Sequence, residues 1–263
     1  DGVVVEDRDE SASIATATAQ QGVNPPAAGG DGASGIGTAA FPNPDGTGGS
    51  VGAASFVSGG GGASGEISSA SGAFYIGEFI ANAGPTGSSP FDLTVNLDIE
   101  GELFLQNEGT AALVLSFAAV DAAGDPIGGF TGIAAVTNPG LIFPGFVSLG
   151  FTDPFMQVSC LDFAAVPYEC TATADMVESI VLADLIDGDV FGLFLSITTI
   201  ATLPDGAAVS AAYANFANTV DISFTGGNVT ALPSTIAAPE PASMALMLVG
   251  VLAIGLARRR RSV

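Results

Sequence analysis

Histidine, lysine and tryptophan are absent from this 263-residue chain, and cysteine occurs only twice. Without histidine there is no Ser-His-Asp or Cys-His arrangement and no ordinary zinc site. Without lysine there is no Schiff base and no phosphate-loop lysine. Cations are nearly as scarce. Four of the five basic residues form the run Arg258, Arg259, Arg260 and Arg261, which leaves Arg8 alone outside the tail. Against it stand 26 of the 27 acidic residues, so the body of the chain repels nucleic acid and anionic polysaccharide unless cations bridge them. Nucleic acid is therefore excluded as a partner. The chemistry left open is that of paired carboxylates or of a cation held by oxygen ligands.

Large side chains are scarce at the start of the chain. Residues 1–70 are rich in Gly, Ala and Ser, as in GGDGASGIGTAA, and sixteen of them are Gly. Ordering such a stretch costs backbone entropy and buries little in return, which predicts a largely irregular segment or spacer. Short strands are expected at most around Val3–Val5 and Ser55–Val57 within it.

From about residue 71 the pattern changes to apolar runs of strand length separated by Gly, Pro and Asp. The clearest run is 93–105. Leu93, Val95, Leu97, Ile99, Leu103 and Leu105 alternate with Thr94, Asn96, Asp98, Glu100 and Glu102, so one face meets a core and the other meets water. Gly101 on the apolar face marks a bulge or bend. Further runs at 111–120, 130–136, 141–151, 155–163, 176–183, 190–202 and 208–224 complete the set. Seventeen Phe supply core volume. The expectation is a mainly β protein, with an antiparallel β-sandwich, jelly-roll-like or immunoglobulin-like, over residues 71–225. Residues 226–238 read as a linker.

Three groups of side chains are candidate sites. Cys160 and Cys170, nine residues apart, form a disulfide if the chain is exported, and the reactive-thiol alternative lacks a neighbouring base or cation. Asp184, Asp187 and Asp189 surround Gly188 as an Asp-rich loop should for calcium, although the spacing is not that of an EF-hand. The other reading is an acidic turn leading into a strand. Asp98, Glu100 and Glu102 share one strand face at a spacing that glycosidase chemistry could use, but alternating acids on a solvated face are far commoner. No enzyme is expected.

The last 25 residues are of a different kind. Pro239, Glu240 and Pro241 precede an uncharged apolar run over 242–257, and Arg258–Arg261 follow. As a helix the run measures roughly 24 Å, close enough to the ~30 Å hydrocarbon core for arginines to snorkel over the remainder. The arginines stay cytoplasmic, which places the rest of the chain outside. The tail predicts a single transmembrane helix at 242–257.

This order of a Pro-Glu-Pro tripeptide, a short apolar helix and a terminal arginine cluster resembles the PEP-CTERM sorting domain. The resemblance covers residues 239–261. It implies a protein exported by a Gram-negative bacterium, held in the inner membrane as an intermediate and cleaved near the tripeptide by exosortase. Delivery to the cell surface or extracellular matrix, with exopolysaccharide as a possible partner, follows from the same resemblance. Such a chain is expected to have carried a signal peptide ahead of Asp1. The role expected for the cargo is structural, in matrix or biofilm. The alternative is a carbohydrate- or calcium-binding adhesion module using loops at one end of the sandwich.

Overall fold

A computed structural model describes residues 14–22, 32–40, 49–59, 67–84, 89–138, 145–151, 157–160, 168–205, 207 and 209–232. Thirteen strands account for most of them: β1 (Ile14–Gly22), β2 (Gly32–Ala40), β3 (Gly49–Gly59), β4 (Ile67–Asn82), β5 (Phe91–Gln106), β6 (Gly109–Asp121), β7 (Pro126–Asn138), β8 (Gly145–Leu149), β9 (Gln157–Cys160), β10 (Glu169–Leu185), β11 (Val190–Leu203), β12 (Ser210–Thr225) and β13 (Asn228–Leu232). All pairings are antiparallel. They form a seven-stranded sheet, in the order β1-β2-β3-β12-β5-β10-β9, and a six-stranded sheet, β13-β4-β11-β6-β7-β8. The fold is mainly β and sandwich-like, with one apolar core between the two sheets.

The alternation that predicts β5 decides its orientation. Leu93, Val95, Leu97, Ile99, Leu103 and Leu105 are all fully buried, each contributing about 2 kcal/mol by leaving water. From the facing sheet, Leu113 and Leu115 of β6 and Phe191, Leu193, Leu195 and Ile197 of β11 meet them. Among the hydroxyls that enter this interior, Ser55 and Thr199 partner each other across the two sheets. Ser55 Oγ of β3 donates to the Thr199 carbonyl of β11 at 3.1 Å and lies 3.0 Å from Thr199 Oγ1.

Gly101 does not bend its own strand. The irregularity is in β12, where residues 216–219 stand opposite only Glu100 and Gly101 of β5. Phe216, fully buried, swings its ring over Gly101, and a Cβ there would collide with it. The glycine is a vacancy for a phenylalanine.

The small-residue stretch corrects the expectation of an irregular segment over 1–70. Strands β1, β2 and β3 lie within it, and β3 pairs with β12 from Gly49↔Ile222 to Gly59↔Ser210. Val51, Ala53 and Val57 join the core. The physical reason is close approach of the sheets, not side-chain bulk. A Cβ at Gly35 would run into Ser71 Oγ of β4, and one at Gly37 into the Gly72 carbonyl. Ser69 Oγ, also on β4, donates to the Ser34 carbonyl at 2.6 Å. Where facing residues are Gly and Ser, the two backbones come near enough to exclude water without large side chains. The linker expected at 226–238 is corrected in the same way. Its first part is β13, paired with β4 from Asn228↔Asn82 to Leu232↔Glu78.

The contacts divide the chain into a unit ending at Leu232 and a second, 233–263. The expected transmembrane helix over 242–257 falls in the latter and lies outside the described residues. Among the described residues no helix is long and apolar enough to cross a membrane.

At the step from β5 to β6 the chain changes sheets within two residues, and Asn107 makes that possible. Its φ is 63°, a left-handed conformation that Asn tolerates better than most side chains. Its N–H donates to the Tyr168 carbonyl at 2.8 Å, and its Oδ1 accepts from Tyr168 N at 3.2 Å. Its Nδ2 donates to the Val209 carbonyl, and its own carbonyl accepts from Asn138 Nδ2 at 2.6 Å. One side chain thus ties three connections together. Asn107→Ala should cost about 3 kcal/mol in urea denaturation, from two lost hydrogen bonds and the strained φ. Asn107→Gly, which relieves the backbone, should cost roughly 1 kcal/mol less.

Candidate functional site

The connections at the other end of the sandwich frame a cleft. One wall is the β6–β7 turn, built on Asp121. Its Oδ1 accepts from the N–H groups of Ala123 and Asp125, both at 2.9 Å, while Gly124 with φ of 88° turns the chain. The other wall is the β10–β11 turn. There Asp189 Oδ2 accepts from Ile186 N at 2.8 Å, and Gly188 takes a φ of 96°. Between them lies a cavity of about 610 Å³ lined by Ile127, Val181, Leu182, Leu185, Val190 and Phe191, with Asp121 and Asp189 at its polar side. Its floor is firm. The Phe191 ring stacks on Phe79 at 5.4 Å and meets Phe224 edge-on at 6.5 Å. The hollow is open to solvent and mostly apolar, with exposed Ile127, Val181 and Val190 on its rim.

The calcium expectation at Asp184, Asp187 and Asp189 meets a correction here. Among the described residues no three acidic, Cys or His side chains stand together as a metal would need. The turn disperses the three aspartates and uses two of them to satisfy backbone donors. Asp187 Oδ1 accepts from Ala83 N at 2.9 Å, and Asp189 holds Ile186 as above. Asp184, at φ 57°, gives its own N–H to Asp92 Oδ1 at 3.1 Å. Only Asp189 reaches the cleft. Its partner there, Asp121, was legible in the sequence only as a turn residue.

Asp98, Glu100 and Glu102 do lie along one face of β5, the outer face of the seven-stranded sheet. The neighbouring strands add carboxylates that a single-strand reading misses. Asp98 is paired with Asp221 of β12, and Glu100 with Asp175 of β10. No described residue is basic. Burial first, and then the charge of Asp98, pushes the Asp221 carboxyl above its ordinary value. Beside Glu102, Tyr213 stacks on Phe104 at 4.9 Å between ring centroids. Burial, followed by its hydrogen bond to Glu102 and that residue's charge, pushes the Tyr213 hydroxyl up to about 12. The rings stand face to face, so each covers one face of the other.

Cys160 and Cys170 are directly opposed across β9 and β10 and are joined, with Cα atoms 4.0 Å apart. All four residues of β9 are exposed, whereas Cys170 is fully buried. The bond pins an edge strand that adds little to the core. In the chain-entropy account a loop this short contributes up to about 3 kcal/mol.

Comparison with protein families adds the decisive observation for the tail: the PEP-CTERM protein-sorting motif matches residues 237–261. The chain carries a PEP-CTERM sorting motif. Pro239, Glu240, Pro241 and Arg258–Arg261 fall inside the match, although they lie outside the described residues. The motif supports an exported protein directed to exosortase, and the disulfide accords with a compartment beyond the cytoplasm. No curated protein matches the chain. A solved structure of infectious bursal disease virus Gx strain matches at 11% identity over 95% of this chain and 71% of that one, with a TM-score of 0.13, too low for a shared fold.

The acidic face of this PEP-CTERM chain gives a pH signature. Because the Asp221 pKa in the folded state lies above 3.8, the folded chain binds more protons than the unfolded one between the two values. Its contribution to stability is therefore greatest below 3.8 and declines as pH rises through the folded pKa. Asp221→Asn should raise the urea midpoint at pH 7, and the gain should disappear below pH 3.8. A gain that persists in acid would mean that charge is not its cause.

Proposed function

We propose that this is a non-enzymatic structural protein of the cell surface or extracellular matrix, sorted by exosortase and cleaved near Pro239–Pro241. The observation that carries the reading is the sorting motif at 237–261. In this account residues 242–257 form a transmembrane helix that holds an inner-membrane intermediate until processing, with Arg258–Arg261 on the cytoplasmic side. The host is Gram-negative, and the cargo takes its place in a biofilm matrix beside exopolysaccharide. The absence of His and Lys, together with the spread of the carboxylates over an open sheet face, favours a scaffold over a catalyst.

A second reading is favoured by the cleft at Asp121 and Asp189. There a carbohydrate would place apolar ring faces on Val181 and Val190 and hydroxyls on the two carboxylates. Calcium titration and glycan titration of the full chain distinguish a binding module from a scaffold.

Mass spectrometry of surface material from the native host tests the sorting account. A mature C-terminus near Pro239–Pro241 is expected, and removal of residues 239–263 should abolish surface delivery. An intact Val263 on surface material would instead identify a plain membrane anchor.

A further inference from the structure

The two outer faces of the sandwich differ in kind. On the seven-stranded sheet the outward residues include Asp98, Glu100, Glu102, Asp175 and Asp221. On the six-stranded sheet the outward positions follow from the inward ones. Tyr75, Phe79, Leu193, Leu195, Ile197, Leu113 and Leu115 point to the core, so their neighbours point out. The outward set is Phe74 and Ile76 of β4, Phe194 and Ile200 of β11, Val114 of β6 and Ile133 of β7, interspersed with Ala, Gly, Ser and Thr. Glu78 is the one charged residue on this face among the described residues. These strands thus carry large apolar side chains on both sides and almost no charge, as sheets covered on both faces do.

We infer that the outer face of the six-stranded sheet is covered by the same face of a second copy of this chain. Charge points to that occupant. In a chain with net charge −22, this face, with Glu78 as its one charge among the described residues, can meet its like without bringing carboxylate rows together. A face paired with itself about a twofold axis is self-complementary and closes at two copies. Area points the same way. Six strands at ~4.8 Å spacing, over the thirteen ladder rows from Val190 to Thr202, make a surface on the order of 1,000 Å², and a stable complex needs roughly 800 Å² from each partner. Leu149, 63% exposed beside Ile133 at the margin, would be covered with the rest. The acidic faces then point outward on both sides of the pair.

Thr198 is at the middle of the face, between Gly72 and Val114. In sedimentation equilibrium of the full chain in nonionic detergent, the unaltered protein should have the mass of two copies. Thr198→Glu buries a carboxylate from each copy near the axis and should weaken the pair by roughly a hundredfold or more, with an unchanged circular dichroism spectrum. Two outcomes overturn the inference: a single copy for the unaltered chain, or a Thr198→Glu protein that remains paired. Binding to neutral phosphatidylcholine vesicles that drops with Thr198→Glu would overturn it in favour of a lipid surface. If Thr198→Glu does not fold, Glu78→Gln reads the same face from the opposite direction. Loss of its one charge should tighten the pair by about tenfold, and unchanged affinity would count against it.

Discussion

Everything described depends on contact between two sheets that have no opposite charges with which to hold each other. No described residue is basic, so the cohesion comes from apolar burial and from backbone hydrogen bonding along long antiparallel ladders. Most carboxylates in such a molecule stay wet, and among the described residues Glu178 of β10 is the buried exception. The period of two along β5 does this directly, sending leucines inward and Asp98, Glu100 and Glu102 outward. Ser55 and Thr199, which enter the interior from opposite sheets, satisfy each other.

The parts of the fold that were legible in the sequence are those where side-chain size carries the pattern. The alternating run 93–105 became β5, and the run at 190–202 became β11 with nearly the expected limits. The Cys160–Cys170 pairing was also legible, because two cysteines leave one bridge to make. What escaped the sequence was the stretch where packing comes from the lack of side chains. Gly35, Gly37, Ser69 and Ser71 look like a solvated spacer when read one strand at a time. Their meaning appears only when β2 lies against β4 and a Cβ would have no room. Composition argues for disorder when each chain segment is priced alone; it fails where two small-residue faces meet.

The candidate sites divide along the same line. Asp184, Asp187 and Asp189 are close in sequence, but the turn around Gly188 separates them: Asp187 and Asp189 accept from two different backbone N–H groups, and Asp184 gives its own N–H to Asp92. Asp98 and Asp221 are far apart in sequence, and the β5–β12 register makes them neighbours. Sequence proximity overstates the first group and hides the second. The sorting tail is the converse case. Its information is linear, a tripeptide, an apolar run and an arginine cluster in order, so it was legible without any fold.

The claim at the centre of this account is that the Gly/Ala/Ser-rich stretch is a built part of the larger sheet. Hydrogen exchange of the amides from Val51 to Val57 tests it most directly. If β3 lies between β2 and β12 as described, these amides are protected to a degree comparable with Val95–Leu105 of β5. Exchange at the rate of an unstructured chain, with β5 still protected, would contradict the account.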